Sequence, residues 1–198
     1  MKNKRVFRTA NDGQRFSDFY PMKANTSKRN LCKQTSGGTG VSPVHSFKIT
    51  IRTLPHWQQP GSVYFLTWRC KKGEVLAPEE RTITMESLHY WDGRKLTLYA
   101  AVIMPDHVHA LAQPLTLPQS GAVYDLAEII HSVKSFSVHK INRLRGGRGS
   151  LWQDERFDRI VRDEAEFLEK WQYIMNNPLK QELVQRWEDY PWLYIKND

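Results

Sequence analysis

The sequence has little cysteine and no long apolar run. Its two cysteines, Cys32 and Cys70, are far apart and neither belongs to a C-x-x-C pair, so the sequence predicts neither a disulfide framework nor a zinc knuckle. No run of about 18 apolar residues occurs, and no apolar stretch of signal-peptide length follows the basic first residues. We therefore expect a soluble cytoplasmic protein that does not associate with a membrane.

Positive charge is concentrated at one end of the chain. Residues 1–60 contain 11 Lys and Arg against 2 Asp and Glu, whereas residues 61–198 contain 18 against 19. The first segment is also polar and interrupted by glycine and proline, which predicts a flexible basic arm over residues 1–55 and one folded domain over residues 56–198. Such an arm favours a polyanionic partner, most simply nucleic acid, although basic arms also serve solubility.

The apolar patterns along the chain predict an α+β fold. The predicted strands are 62–68, 95–104, 107–113 and 157–161. Three helices are predicted: the first begins at Pro78, the second spans 123–144, and the third begins after the N-cap Asp163 and ends at Pro178. The order β-α-β-β-α-β-α is typical of a ferredoxin-like sandwich. We therefore expect a central antiparallel sheet with helices on one face, and an added C-terminal helix.

Two histidines follow a tight turn at the start of the third predicted strand. His107 and His109 are separated by one residue, so in an extended backbone their side chains point to the same face. Two imidazoles on one face can hold a divalent metal, but the H-x-H triplet is weak support alone because it also arises by chance. The remaining candidates, His89, His131 and His139, have no partner at ligand spacing and are interpreted as structural.

The last predicted helix carries a tyrosine away from its apolar stripe. That stripe consists of Phe167, Leu168, Trp171, Ile174 and Met175. At about 100° per residue, Tyr173 lies roughly 160° from the centre of the stripe, so we do not expect it to fill the core beneath the helix. Asn177 follows one helical turn later and offers an amide oxygen on the same side.

A basic patch is predicted where the longest helix ends and the next strand begins. Residues 134–162 contain 8 Lys and Arg against 3 Asp and Glu. Contact with phosphates and a solvated helix end, where cations complement the helix dipole, explain this balance equally well. The candidate DNA-binding residues are Arg143, Arg145, Arg148, Arg156, Arg159 and Arg162.

Four sequence blocks, taken together, resemble a known family. The blocks are Phe65-Leu-Thr-Trp-Arg69, Val102-Ile-Met-Pro-Asp-His-Val-His109, Leu151-Trp-Gln-Asp-Glu-Arg-Phe-Asp-Arg-Ile-Val-Arg162 and Tyr173-Ile-Met-Asn-Asn-Pro178. In this order they resemble the IS200-like transposases, and more closely the REP-associated tyrosine transposases, which are HUH endonucleases with one catalytic tyrosine. Two departures from the family pattern, Asp106 and Gln181-Glu182, remove no catalytic group.

This resemblance implies a metal-dependent single-stranded DNA endonuclease and strand transferase that acts in DNA transposition or in the processing of REP-like hairpins. Tyr173 would attack the DNA and leave a 5′-phosphotyrosine and a free 3′-OH. His107 and His109 would hold Mg²⁺ or Mn²⁺, with Asn177 as the preferred third ligand and Asn176 as its alternative. The expected partner is single-stranded or hairpin DNA. A monomer is favoured, and a dimer remains possible.

The main alternative from another class is a non-catalytic nucleic-acid-binding module with a ferredoxin-like fold. The predicted strands lack the paired aromatic signature of RNA-binding sandwiches, which disfavours this alternative. A two-histidine phosphoesterase would need a second histidine motif followed by Ser or Thr, and the sequence has none. A covalent protein–DNA adduct would separate the enzyme from the binding module.

Overall fold

The computed structural model of the protein describes residues 48–51 and 55–196. A short antiparallel hairpin comes first, formed by β1 (Lys48–Ile51) and β2 (Pro55–Gln58). The predicted boundary between the basic arm and the folded domain falls in this hairpin, and residues 1–47 lie outside the described ranges, so that division remains a prediction. Within the described ranges, no helix is long and apolar enough to cross a membrane.

The remaining elements follow the predicted order of strands and helices. They are β3 (Tyr64–Cys70), α1 (Pro78–His89), β4 (Leu96–Ile103), β5 (His107–Pro114), α2 (Leu126–Arg145), β6 (Trp152–Ile160), α3 (Glu164–Lys180), a 3-10 helix (Trp187–Asp189) and β7 (Leu193–Ile195). Five strands form one antiparallel sheet in the order β6-β3-β5-β4-β7. Without β7, the strand order of this sheet is β6-β3-β5-β4, which is the ferredoxin-like order. The predicted α+β fold is therefore confirmed.

One side of the sheet is an apolar layer beneath α1 and α2, which pack against each other. Leu66 of β3 and Ala110 of β5 belong to the same buried cluster as Ile129 and Ile130 of α2. Because side chains alternate along a strand, every second residue of β3 and β5 enters this layer. We call this side, with Leu66, Ala110, Ile129 and Ile130, the core face.

The opposite side of the sheet carries the intervening residues of β3 and β5 and is covered by α3. Phe65 and His109 lie on this side, and both rings contact Tyr173 of α3. Tyr99 of β4 meets Phe167 of α3 with ring centroids 5.4 Å apart. We call this side, with Phe65, His109 and the residues of α3 that contact them, the site face. Coverage of both sides explains why β4 is apolar on both faces.

Two predicted boundaries were wrong. The last helix does not end at Pro178, because α3 continues to Lys180 with Pro178 buried inside it. Proline in the last turn forfeits one helical hydrogen bond, while the Gln181 N–H still donates to the Asn177 carbonyl at 3.2 Å. The fourth strand begins at Trp152 rather than at residue 157, since the polar residues that follow Trp152 on this edge strand hide its pattern.

The C-terminal strand β7 adds an edge that the sequence patterns did not predict. It pairs with β4 through only three residues. The segment before it is fixed by Tyr190, which is buried and whose hydroxyl donates to the Ile103 carbonyl at 2.8 Å. Arg81 of α1 lies over the Trp192 ring, 3.7 Å from its centroid. The C-terminal segment is therefore fastened to both β4 and α1.

Candidate active site

The two histidines are the first and third residues of β5, next to the turn that precedes this strand. Pro105 and Asp106 form the turn between β4 and β5, and the Met104 N–H closes it by donating to the His107 carbonyl at 2.8 Å. Both imidazoles lie on the site face, as their spacing predicted, with ring centroids 4.7 Å apart. Each residue is at least 96% buried. The sheet therefore holds both rings in place before any ligand arrives.

Each histidine is held at Nδ1 by a neighbouring side chain. The Nδ1 of His107 lies 2.6 Å from Oδ1 of Asp106, and the Nδ1 of His109 lies 2.7 Å from the Thr67 hydroxyl. Thr67 stands directly opposite His109 in the β3–β5 register. A partner at Nδ1 fixes the orientation of an imidazole and leaves Nε2 for a metal. Both rings have this arrangement.

The Nε2 atom of His109 is the clearest indication of a missing ligand. It is buried and has no hydrogen-bond partner among the described residues. Burial lowers the pKa of His109 to about 3, and the neighbouring charges of His107 and Arg69 act in the same direction. The imidazole is therefore neutral at physiological pH, which is the form that binds a metal. A buried polar atom without a partner costs free energy, so its presence indicates a binding function.

Tyr173 lies beside this histidine pair. Its ring and that of His109 meet at an angle of 78° with centroids 5.0 Å apart. Tyr173 is 38% exposed, and the Nζ atom of Lys180 lies 5.0 Å from its ring centroid. Some 64 residues separate His109 and Tyr173 in sequence, and the packing of α3 across the sheet brings them together. The hydroxyl-bearing ring is therefore in contact with one candidate ligand, His109, and is partly exposed to solvent.

The start of α3 is tied to the sheet by a buried carboxylate. Asp163 caps the helix by accepting from the Glu166 N–H at 2.8 Å, as predicted. The Glu166 carboxylate, 94% buried, pairs with Arg159 of β6 at 2.7 Å and with Arg162 at 2.9 Å. This link joins β6 to the helix that carries Tyr173. The ion pairs of Glu166 therefore hold the first turn of α3 in place.

The helix faces the sheet with a different side from the one that the apolar stripe predicts. The buried residues of α3 include Glu166 and Asn177 as well as Phe167 and Ile174. Two polar residues thus belong to the inward face, which shifts its centre towards Tyr173, so Tyr173 lies about 100° from Ile174 at the edge of the buried face. Tyr173 therefore lies closer to the buried face than its separation of roughly 160° from the centre of the apolar stripe suggests, and it remains outside the core.

Donor atoms of the kinds that bind divalent cations lie on this face. Asn177 is 96% buried on the inward side of α3, whereas Asn176 is exposed, so burial favours Asn177 as the third ligand. In the described ranges, no group of three His, Cys, Asp or Glu side chains has metal-binding geometry. A site here would thus combine the two imidazoles with an amide oxygen. That donor set suits an open Mg²⁺ or Mn²⁺ site better than a closed structural zinc site.

The six arginines predicted to bind DNA do not form one patch of unpaired cations. Arg145 at the end of α2 pairs with Glu80 and Glu74 at 2.5 and 2.6 Å. Arg159 and Arg162 share the Glu166 carboxylate, and Arg156 pairs with Asp158 at 2.9 Å. The other two, Arg143 and Arg148, are exposed near the end of α2. Ion pairing across the fold thus engages four of the six, and their contact with DNA remains a prediction.

Two residues that support the site were not singled out from the sequence. Phe65 stacks on the His109 ring at 5.4 Å and contacts the Tyr173 ring at 5.8 Å. Thr67 holds the Nδ1 of His109. The period-two alternation of β3 was the available signal, because it places Phe65, Thr67 and Arg69 on the face that carries the histidines.

Comparisons with known proteins identify relatives of this chain. No protein-family model matches the chain. The chain is 30% identical over 104 residues to one Haemophilus influenzae protein, covering 44% of the chain, and 26% identical over 108 residues to another that is assigned to the REP-associated tyrosine transposases, covering 50% of the chain. These matches span only 57% and 58% of the lengths of the two relatives.

Two further comparisons cover more of the chain. The chain is 21% identical over 140 residues to the REP-associated tyrosine transposase of Escherichia coli, which covers 70% of the chain and 79% of that relative. A solved structure of a REP-associated tyrosine transposase bound to a REP hairpin superposes with a TM-score of 0.59 at 17% identity, covering 72% of this chain and 82% of that one. The resemblance predicted from the four blocks is therefore confirmed: the chain has homologues named REP-associated tyrosine transposase and shares that transposase's fold.

Proposed function

We propose that the protein is a metal-dependent, single-stranded DNA endonuclease and strand transferase that acts on REP-like hairpins through a covalent 5′-phosphotyrosine. The observation that carries this proposal is the contact between Tyr173 and His109, whose buried Nε2 has no partner among the described residues. A partly exposed nucleophile lies beside a buried metal-ligating atom that has no partner among the described residues. The named homologues support DNA transposition or REP processing as the setting.

In this proposal, Tyr173 is the nucleophile. Its oxygen forms a bond to phosphorus, the bond to the 3′ oxygen breaks, and the leaving oxygen takes up a proton to become a 3′-OH. One phosphodiester is exchanged for another, so a 3′-OH can attack the phosphotyrosine and join strands without ATP. His107, His109 and Asn177 would hold Mg²⁺ or Mn²⁺, which supplies charge neutralisation at a nonbridging phosphate oxygen when bound.

The surrounding residues orient the reacting groups. Asp106 and Thr67 fix the two imidazoles at Nδ1, and Phe65 supports both the His109 and the Tyr173 rings. Lys180, beside the Tyr173 ring, would hold a phosphate of the bound strand. Tyr173 contacts His109 of its own chain. This contact favours action as a monomer over a dimer in which Tyr173 serves the partner's site.

The DNA is expected to be held by several separate contacts. The exposed Arg143 and Arg148, together with the basic arm of residues 1–55, are the candidates for phosphates of the hairpin. Arg145, Arg156, Arg159 and Arg162 would contribute to a positive surface while retaining their carboxylate partners. We also propose that the protein acts on DNA in the cytoplasm.

The formation of a covalent protein–DNA adduct with a single-stranded, REP-like hairpin tests the proposal. Purified protein is incubated with Mn²⁺ and a labelled single-stranded REP-like hairpin, and the denatured mixture is resolved by size. We expect the wild type to form an adduct and Tyr173→Phe to form none while it still binds the hairpin. Tyr90→Phe is the matched control, because Tyr90 is also exposed and is the C-cap residue of α1, a helix on the opposite side of the sheet. An undiminished adduct with Tyr173→Phe would contradict the assignment of Tyr173 as the nucleophile.

A further inference from the structure

Phe157 is an exposed aromatic residue on the same side of the sheet as the candidate active site. It lies on the edge strand β6 and is 51% exposed. In the strand register Phe157 stands opposite Thr67, and Thr67 stands opposite His109. Directly opposed residues of neighbouring strands share a face. Phe157, Thr67 and His109 therefore form one row across the site face.

A second observation places this side of β6 on the site face. Arg159, two residues after Phe157, points to the same side because strand side chains alternate. Its guanidinium contacts Glu166 of α3, the helix that covers the site face. The intervening Asp158 pairs with Arg156 instead. The orientation of Phe157 thus follows from its register and from its neighbour.

The exposure of Phe157 is not explained by folding. Large aromatic residues near it in the chain or the sheet are buried, including Trp152 on the same strand and Trp68 on β3. Two other exposed aromatic residues lie on the opposite side of the sheet, since Tyr90 is the C-cap residue of α1 and Phe136 belongs to α2. In the part of the chain that the structure describes, Phe157 and Tyr173 are the exposed aromatic residues of the site face.

The distance and the surrounding charge suit a nucleotide. Neighbouring strands are about 4.8 Å apart, so the backbone of Phe157 lies roughly 10 Å from that of His109, a span that an extended single strand covers with neighbouring nucleotides. Arg69, whose side chain is 55% exposed, lies in this region of β3 and pairs with Asp106. The Nζ atom of Lys170, which pairs with Glu169, lies 5.7 Å from the Phe65 ring centroid. A positive surface with aromatic platforms is the usual design for binding single-stranded nucleic acid.

We propose that Phe157 is a stacking platform for an unpaired base of the DNA strand next to the scissile phosphate. This inference rests on the proposed function, since it uses the same strand and the same face. The phosphate would lie at the Tyr173–His109 pair, the strand would pass over Thr67, and the base would stack on the Phe157 ring. Stacking reads the π-face of a base, so this contact adds affinity while tolerating sequence changes at that nucleotide.

The experiment compares two phenylalanines of nearly equal exposure. Phe157→Ala and Phe136→Ala remove the same side chain from sites that are 51% and 49% exposed. Both are made in the Tyr173→Phe background, so that binding is measured without reaction. The probes are a hairpin with a single-stranded extension that carries 2-aminopurine near the expected cleavage position and the same hairpin without the extension. Each hairpin also carries a fluorescent label at the end of its stem, whose anisotropy gives the dissociation constant, while 2-aminopurine quenching reports the stacking of the probe base.

We expect Phe157→Ala to weaken binding of the extended hairpin by about 5- to 150-fold and to abolish the quenching of 2-aminopurine. Phe136→Ala should change neither, and both variants should bind the hairpin without the extension equally well. Phe157→Trp should retain binding, whereas Phe157→Leu, which keeps an apolar side chain, should behave like Phe157→Ala. Thermal unfolding checks that each variant is folded.

Equal affinities of Phe157→Ala and Phe136→Ala for the extended hairpin would overturn the inference. Equal losses by Phe157→Ala on both hairpins would also overturn it, since the contact would not involve the unpaired base. These results are independent of the adduct assay. A wild type that quenches the probe but forms no adduct contradicts the proposed enzyme and leaves the stacking site in place. A wild type that forms an adduct but does not quench the probe contradicts the stacking site and leaves the proposed enzyme in place.

Discussion

The core face and the site face of one sheet differ in what they bury. Beneath α1 and α2 the sheet buries aliphatic and small residues such as Leu66 and Ala110. Beneath α3 the same strands bury two imidazoles, and α3 contributes the buried side chains of Glu166 and Asn177. Burying polar groups lowers stability unless each has a partner. The core face therefore stabilises the sheet, and the site face uses that stability to hold polar groups in a fixed arrangement.

The β5 strand shows this division within four residues. Val108 and Ala110 enter the core face, while His107 and His109 enter the site face. A buried carboxylate on each side of the sheet shows the same division, since Glu80 joins α1 to the end of α2 and Glu166 joins β6 to α3. Substitutions on the two faces should therefore have separable effects on stability and on activity.

The largest expected effect is on activity, from substitutions of the histidines. We expect His109→Ala or His107→Ala to abolish nicking, because either removes a ligand, and EDTA should have the same effect on the wild type. Nicking of a labelled hairpin measures this. His131→Ala is the control, because His131 is exposed on α2 and is interpreted as structural. Nicking that persists in EDTA would instead favour a mechanism without a metal.

The next effect is on stability, from the core face. Leu66 is fully buried between Phe65 and Thr67, so Leu66→Ala should lower the free energy of unfolding by about 2–5 kcal/mol. Denaturant titration measures the change. At temperatures where the variant remains folded, nicking should stay within a few-fold of the wild type. A loss of nicking as large as that of His109→Ala, in a protein shown to be folded, would show that the two faces are not separable.

A smaller effect is expected from the paired carboxylates as the pH falls. A hydrogen bond from Arg145 lowers the pKa of Glu80 below its ordinary value of 4.5. Burial acts to raise the pKa of Glu166, but the Arg162 hydrogen bonds and the charge of Arg159 outweigh it, so that pKa is also lowered. Each carboxylate therefore stabilises the fold above about pH 4.5, and this stabilisation is lost as the pH falls through the lowered pKa.

The variants Glu80→Gln and Glu166→Gln compare these two links directly. Each should lower the free energy of unfolding at pH 7 by about 1.5–3 kcal/mol and flatten its dependence on pH below 4.5. Glu166→Gln should also slow nicking, because it loosens the helix that carries Tyr173, whereas Glu80→Gln should not. Urea unfolding across pH 3–7 and nicking assays at pH 7 measure both. Equal effects of the two variants on nicking would contradict the positioning role of Glu166.

Much of the arrangement was predictable from local patterns. Alternation in the strands predicted that His107 and His109 share a face, and the position of Tyr173 off its apolar stripe predicted a residue outside the core. What local patterns missed depends on contacts between distant residues. The carboxylate partners of the arginines lie up to 71 residues away, as for Arg145 and Glu74. The inward face of α3 was mispredicted because polar Asn177 is buried.

The most direct measurement of the central claim is the identity of the residue that becomes linked to DNA. Wild-type protein is reacted with a REP-like hairpin in Mn²⁺, digested with protease and nuclease, and analysed by tandem mass spectrometry. The account predicts one modified peptide, with a 5′-phosphate of the cleaved strand on the oxygen of Tyr173. A nucleotide linked to any other residue, or cleaved DNA without a protein-linked product, would contradict it.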